Sequence, residues 1–311
     1  MSPHQCATRV LLLWWSALAV AALPPAPLGQ PRSKWIPFPP LTDEFAGGDV
    51  LDPVKWSTAP RDIGWRGRKP GLFDPGNVFI HNGTLTMRAR AAQRNVSWPP
   101  GYDNFTTSAI HSVARTSHGY FEVRARSGSS SVSSSFWFHQ NDGNGSWTEI
   151  DVFESVGSHA PHAVAGMNSS MMCTHTHVFQ LAGVPQADLP AKCGCSFDDG
   201  GLESHARLHR SRSNVKPCTM GACVPTTWHF DGGFHVYGLE WNATTLAVFA
   251  DGKQVGESYD ASCFGQSIGL DLDRETMPGW MGIPDRPFAE VLPFEIDYVR
   301  AWKLAAYGSK R

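Results

Sequence analysis

An all-β fold of antiparallel strands, closed as a sandwich or a barrel, is what this sequence predicts. Short apolar runs recur between turn signals, Gly 30 and Pro 23 supply many turns, and long helical periodicities are hard to find. With 311 residues, 41% of them hydrophobic, the chain can bury a sizeable core. Residues 31–311 read as a single domain.

The elements follow in order. Arg9 precedes the apolar run "VLLLWWSALAVAAL" (10–23) and the Pro-rich "PPAPLGQP". That run has the length of a signal-peptide core and is short for a membrane span, so residues 1–30 read as a signal peptide and linker, with a signal anchor as the alternative. No second run of spanning length follows, which predicts a secreted chain without stable membrane insertion. "GNVFIHNGTLTMRARA" (76–91) carries Asn82-Gly83 between two alternating segments, a hairpin signal. "HGYFEVRARS" (118–127) sets Phe121, Val123 and Ala125 against Tyr120, Glu122 and Arg124, and "SSFWFHQ" (134–140) is aromatic and strand-like. "HVYGLEWNATTLAVFADGKQVGES" (235–258) reads as two strands and a tight turn at Asp251-Gly252; "PFEIDYVRAWKL" (293–304) closes the domain.

Residues 181–234 break this rhythm. They hold Cys193, Cys195, Cys218 and Cys223 and a basic run with Arg207, Arg210, Arg212 and Lys216 against only Glu203. So long an irregular stretch in a compact domain is usually functional or disordered, and the cysteines predict that it is stapled.

A formal charge of −2 gives no general attraction to nucleic acid or to an anionic membrane. Cys6 lies in the segment expected to be removed. Cys173, Cys193, Cys195, Cys218, Cys223 and Cys263 form an even set, most simply disulfides in a secreted chain, with 15 possible connectivities. Cys173, His175, His177, Cys193 and Cys195 invite zinc, but their spacing matches no standard pattern. Asn-x-Ser/Thr acceptors at Asn82, Asn95, Asn104, Asn144, Asn168 and Asn242 predict a glycoprotein from a eukaryotic secretory pathway.

The chemistry is concentrated in "SWTEIDVFES" (146–155), where Glu149, Asp151 and Glu154 interrupt a strand-forming run. Side chains alternate along a strand, so Glu149 and Asp151 share a face and Glu154 has the wrong parity. One extra residue at Val152-Phe153, a β-bulge, returns Glu154 to that face. The glutamates then stand about 13 Å apart at Cα, and side chains leaning together bring the carboxyls to about 5–5.5 Å, the separation of retaining glycosidases. Asp151 between them raises the pKa of a neighbour, keeping one acid protonated near neutral pH. Trp147, Phe136, Trp137 and Phe138 offer flat faces on which sugar rings stack.

"EIDVFE" resembles the E-x-D-x-x-E signature of glycoside hydrolase family 16 in its bulged form. "LTDEFAGGDVLDPVKW", "GYFEVRAR", "SSFWF", "HVYGLEW", "VFADGKQV" and "IDYVRAW" resemble that family's strands in the same order, over most of 35–303. The resemblance leans toward the β-agarase and β-porphyranase branch through "WRGRKPGLFDPGNV" (65–78), Thr148 and "MCTHTHVF" (172–179), where His175 stands in place of an expected Asn. It implies a concanavalin A-like β-jelly-roll with a carbohydrate cleft across its concave sheet. It implies Glu149 as nucleophile, Glu154 as acid and base, and Asp151 as the residue that orients and tunes the pair. His177 is implied beside the reacting sugar, Trp137 and Trp147 as stacking platforms, and Trp65, Arg66 and Arg68 at more distal subsites. Catalysis then needs no cofactor. Many family members hold a structural calcium near the terminal strands, and Asp297 matches that acidic position.

The expected protein is thus a secreted, monomeric, retaining endo-β-galactanase. Its polysaccharide substrate is agar- or porphyran-like, or keratan- or mucin-like, and the basic run suits a sulfated chain. The alternatives are a catalytically silent galactan-binding lectin, a matrix-remodelling transglycosylase and a β-1,3-glucanase. The intact acid set argues against the lectin, since a pure binder has no need of a bulge-positioned pair.

Overall fold

Alternating polarity drives these strands into two facing sheets, because each strand has one apolar row to bury. The computed structural model describes residues 26–60, 64–93, 95, 97–141, 145–160, 163, 167–197, 217–285, 288 and 292–305. The apolar N-terminal run, the Asn144 acceptor and the basic run at 207–216 lie outside the described residues.

One sheet has nine strands, in the spatial order Lys253–Gln254, Thr245–Ala250, His235–Trp241, Gly119–Arg126, Phe294–Leu304, Thr84–Met87 and Val78–His81, with Trp35–Pro37 and Tyr259–Asp260 paired alongside. The other has ten. Its main order is Ser196–Phe197, Cys218–Pro225, Met171–Gln180, Trp147–Ser155, Ser134–Asn141, Ile268–Arg274, Phe105–Thr116 and Trp56–Ser57. Among the described strands pairing is antiparallel except where Gly71–Phe73 runs parallel to Phe105–Thr116. The architecture is the expected β-jelly-roll sandwich. Phe121, Val123 and Ala125 of the first sheet meet Phe136, Phe138, Ile150, Leu270 and Leu272 of the second in one buried core.

The predicted turns form where expected. Asn82 and Gly83 both take positive φ, 49° and 72°, as the tight Val78–His81/Thr84–Met87 hairpin requires. Asp251 and Gly252 repeat this at 47° and 75°. Asn82, Asn95 and Asn168 are exposed, while Asn104 and Asn242 are half-buried.

All six cysteines of the domain are paired, as Cys173–Cys223, Cys193–Cys263 and Cys195–Cys218, so none remains to bind zinc. The first joins directly opposed residues of neighbouring strands. It and Cys193–Cys263 pin the irregular stretch to the sandwich, and Cys195–Cys218 closes a loop within that stretch. That stretch is not all loop: it contributes the short helix Leu189–Cys193, and its far end, Cys218–Pro225, extends the ten-stranded sheet beside Met171–Gln180. Among the described residues no helix is long and apolar enough to cross a membrane.

At the position of the calcium expectation, the Asp297 carboxylate pairs with Arg124 at 2.7 Å, and among the described residues no trio of His, Cys, Asp or Glu side chains gathers around it.

Candidate active site

The site is built on the face of the ten-stranded sheet that points away from the core. Opposite Ser134–Asn141, the partner of Phe136 is Phe153 and that of Trp137 is Asp151, so Val152 has no partner of its own. Opposite Met171–Gln180, Asp151 faces His175 and Glu154 faces Cys173, three positions against two. This is the expected bulge. Val152 and Phe153 both turn inward with Ile150, and Glu149, Asp151 and Glu154 share the outer face.

Pairing then sets two rows across the sheet. One runs His177, Glu149, His139; the next runs His175, Asp151, Trp137, Asp271, His111. Asp151 is central. One constellation brings polar atoms of Glu149, Asp151 and His177 within 4.8 Å of one another, and a second does so for Asp151, Glu154 and His175. His177 Nε2 lies 3.4 Å from Asp151 Oδ2, while its Nδ1 meets the Thr219 hydroxyl at 2.9 Å. His175 Nδ1 is 4.0 Å from Glu154 Oε2.

Burial holds the Glu149 carboxyl well above the usual carboxylate range, and Asp151 and then Glu154 push it further; Arg68 pulls it back. Glu154 is likewise raised by burial and then by Asp151, again against Arg68. So crowded an acid set holds its protons to higher pH than free carboxyls do.

Several partners were not singled out from the sequence. Asp273 accepts the Trp137 indole N–H at 2.7 Å, and its own pKa is raised by burial and by Glu275. His111 Nδ1 bonds the buried Asp271. The signal was present: "LDLDRE" (270–275) alternates acids with apolar residues as "EIDVFE" does, which places Asp271, Asp273 and Glu275 on one face.

Arg68 departs from its expected distal position. Its Nη2 lies 3.3 Å from Glu275, and although burial alone would lower its pKa, Glu275, Glu154 and Glu149 outweigh this and raise it. The Thr276 hydroxyl fixes its loop by donating to the Arg68 carbonyl at 2.5 Å, and the Gly71 N–H lies 3.0 Å from the Thr276 hydroxyl oxygen. A Cβ on Gly71 would stand 2.8 Å from that oxygen, so glycine permits the approach. Removing the cation raises the Glu149 pKa. Arg68→Gln is therefore expected to move the acidic limb of the kcat/KM–pH profile to higher pH, checked by initial rates from pH 4 to 9.

The aromatic expectations divide. Trp137 is partly open, with Trp65 edge-on at 5.5 Å. Trp147 is half-buried and stacks on Phe179 at 4.2 Å, so one of its faces is already covered. Arg66 is exposed and contributes its carbonyl to the Phe73 N–H.

A sandwich with crowded acids and indole rings on one outer face has the build of a carbohydrate-cleaving enzyme. The β-porphyranase A–D domain of glycoside hydrolase family 16 matches residues 35–190, half of the chain. β-Porphyranase B of Zobellia galactanivorans is 25% identical over 287 residues, covering 88% of this chain and 87% of that protein. κ-Carrageenase of Pseudoalteromonas carrageenovora is 24% identical over 318 residues, covering 94% and 71%. The crystal structure of porphyranase B from Zobellia galactanivorans superposes with a TM-score of 0.68 at 22% identity, over 87% of this chain and 93% of that one. The chain belongs to glycoside hydrolase family 16 and is a glycoside hydrolase.

Proposed function

We propose that this enzyme is a secreted retaining endo-galactanase that cleaves galactose-containing polysaccharides by double displacement. The observation that carries the reading is the bulge at Val152, which sets Glu149 and Glu154 on one face with Asp151 between them. In the first step a Glu149 oxygen bonds to the anomeric carbon as the glycosidic C–O bond breaks, and Glu154 gives its proton to the departing oxygen. In the second, Glu154 takes a proton from water, whose oxygen bonds to the anomeric carbon from the face the leaving group had occupied as the bond to Glu149 breaks, so the two inversions retain the configuration. Burial, and then Asp151, holds the proton on Glu154 for the first step. Arg68 favours ionised Glu149. Trp137, with Trp65 against it, offers a surface for a sugar ring.

The substrate class rests on the relatives, whose names specify porphyran and carrageenan, both galactans. For this chain it extends to agar- or porphyran-like and keratan- or mucin-like polymers. Three disulfides and the apolar N-terminal run support secretion.

The test is reducing-end release from agarose, porphyran, keratan sulfate, carrageenan and laminarin, with Glu149→Gln as blank, followed by NMR of the first product formed. Cleavage of one galactan with retention of the anomeric configuration is expected. Cleavage of laminarin alone would move the enzyme to the glucanases, an inverted product would remove Glu149 as nucleophile, and binding without cleavage would favour the lectin.

A further inference from the structure

The outer face holds one imidazole that the steps above leave idle. His175 is buried, lies opposite Asp151 in register, and directs Nδ1 toward Glu154 Oε2 at 4.0 Å. Its space is reserved from the neighbouring strand. Gly221 is its register partner there, and a Cβ on Gly221 would stand 2.4 Å from the His175 ring carbon Cδ2. Gly221 also takes a φ of +156°. On its other side His177 lies nearly parallel, with ring centroids 5.9 Å apart. A ring held by glycine on one flank and by a second imidazole on the other has a fixed direction.

We propose that His175 is the positioning residue of the acid/base carboxyl: it orients Glu154 and donates its Nδ1–H to the carboxylate formed once Glu154 has given up its proton. The inference rests on the reading of Glu154 as acid and base. At 4.0 Å the contact is longer than a hydrogen bond, and contacts of this kind tighten when substrate closes the site. His175 keeps its own proton throughout. Burial, then His177, pushes its pKa down to about 3, so at working pH it is a neutral donor and not a competing acid. The resemblance leads to Asn at this position, and an amide N–H can donate in the same way.

The other charged or titratable groups around Glu154 are Asp151 and Glu149 on its own strand, His177 beside His175, Arg68 on its loop, and Asp273 and Glu275. The strand Cys218–Pro225 places only Gly221 opposite His175 and has no acid or base in its sequence apart from disulfide-bonded cysteines.

The experiment compares wild type, His175→Phe, His175→Asn and Glu154→Gln on the galactan that wild type cleaves, from pH 4 to 9. A donor to the carboxylate lowers the Glu154 pKa, so its loss raises it. His175→Phe is expected to lose about tenfold in kcat with KM within about twofold, and its alkaline limb should move up by about one pH unit. His175→Asn should restore most of both. A His175→Phe enzyme with a wild-type profile would overturn the inference, as would a His175→Asn enzyme no better than His175→Phe. ¹⁵N NMR of the wild-type ring needs no variant: a neutral ring protonated at Nδ1 is expected, and protonation at Nε2 alone would overturn the proposal. Glu154→Gln separates the two layers. Full activity in that variant removes the acid/base reading itself, whereas its silence beside an unaltered His175→Phe profile removes only the role of His175.

Discussion

Glu149→Gln should lower kcat on the polymer by roughly 10⁴–10⁶-fold, the scale on which removal of a covalent nucleophile acts. Glu154→Gln should cost less, about 10²–10⁴-fold, and least with a leaving group that needs no proton. The geometry makes the pair separable, since both acids share one face and flank Asp151. With azide and an activated substrate, Glu154→Ala should yield a glycosyl azide of retained configuration, because azide attacks the intermediate on Glu149. Glu149→Ala should yield the inverted azide. Product NMR reads both, and a reversed assignment would exchange the two roles. Both Gln variants should also be more stable than wild type at neutral pH. Folding raises these carboxyl pKa values, so the native state holds protons that the unfolded chain has released above about pH 4.3. Stability therefore falls as pH rises from there toward the folded-state pKa. An amide removes that penalty, and chemical denaturation at pH 5 and pH 8 should show the gap between variant and wild type widening at the higher pH.

Reduction of the disulfides should have the largest effect on the fold. The bridges span 50, 70 and 23 residues of chain. Chain-entropy reasoning assigns each about 3–4 kcal/mol of stability through restriction of the unfolded state. Cys193–Cys263 closes the longest loop and ties the Leu189–Cys193 helix to the segment entering Ile268–Arg274. A Cys193→Ser/Cys263→Ser double variant should lose about 4 kcal/mol in equilibrium denaturation. Cys173–Cys223 lies one position along the strand pairing from the acids, since Cys173 is the partner of Glu154. Its loss should reduce kcat as well as stability, whereas loss of Cys193–Cys263 should mainly affect stability. Melting curves and kcat for each pair of serines would test this split.

The acid strand was legible because its information is local. Three carboxylates among Ile150, Val152 and Phe153 leave one parity conflict, and a single extra residue at Val152 resolves it. The hairpin at Asn82-Gly83 was legible for the same reason. The position of Arg68 was not, because it depends on the Thr276 hydroxyl from a segment 208 residues further along. Arg274 is a similar case. It is fully buried between the sheets, with its guanidinium bonded to the hydroxyls of Ser130 and Ser134, so a serine-rich stretch that resembles a loop is the solvation shell of an internal cation. The acids of "LDLDRE" had the right alternation, but nothing local joined them to "EIDVFE". That link is made by Ser134–Asn141, which pairs with both strands. The cysteines predicted bridges, while their partners depended on the fold.

Val152 also bears on how such an enzyme can change over generations. Loss of its single codon would leave Ile150 and Phe153 facing inward and Asp151 and Glu154 facing outward, since the remaining residues still alternate. The polarity of the strand would survive, and the two glutamates would still stand four strand positions apart, the span they now keep opposite His177 and Cys173. Carboxyl separation is what distinguishes retaining from inverting chemistry. In this sandwich an in-frame deletion leaves that separation near its present value, with no compensating substitution needed to restore the inward and outward pattern.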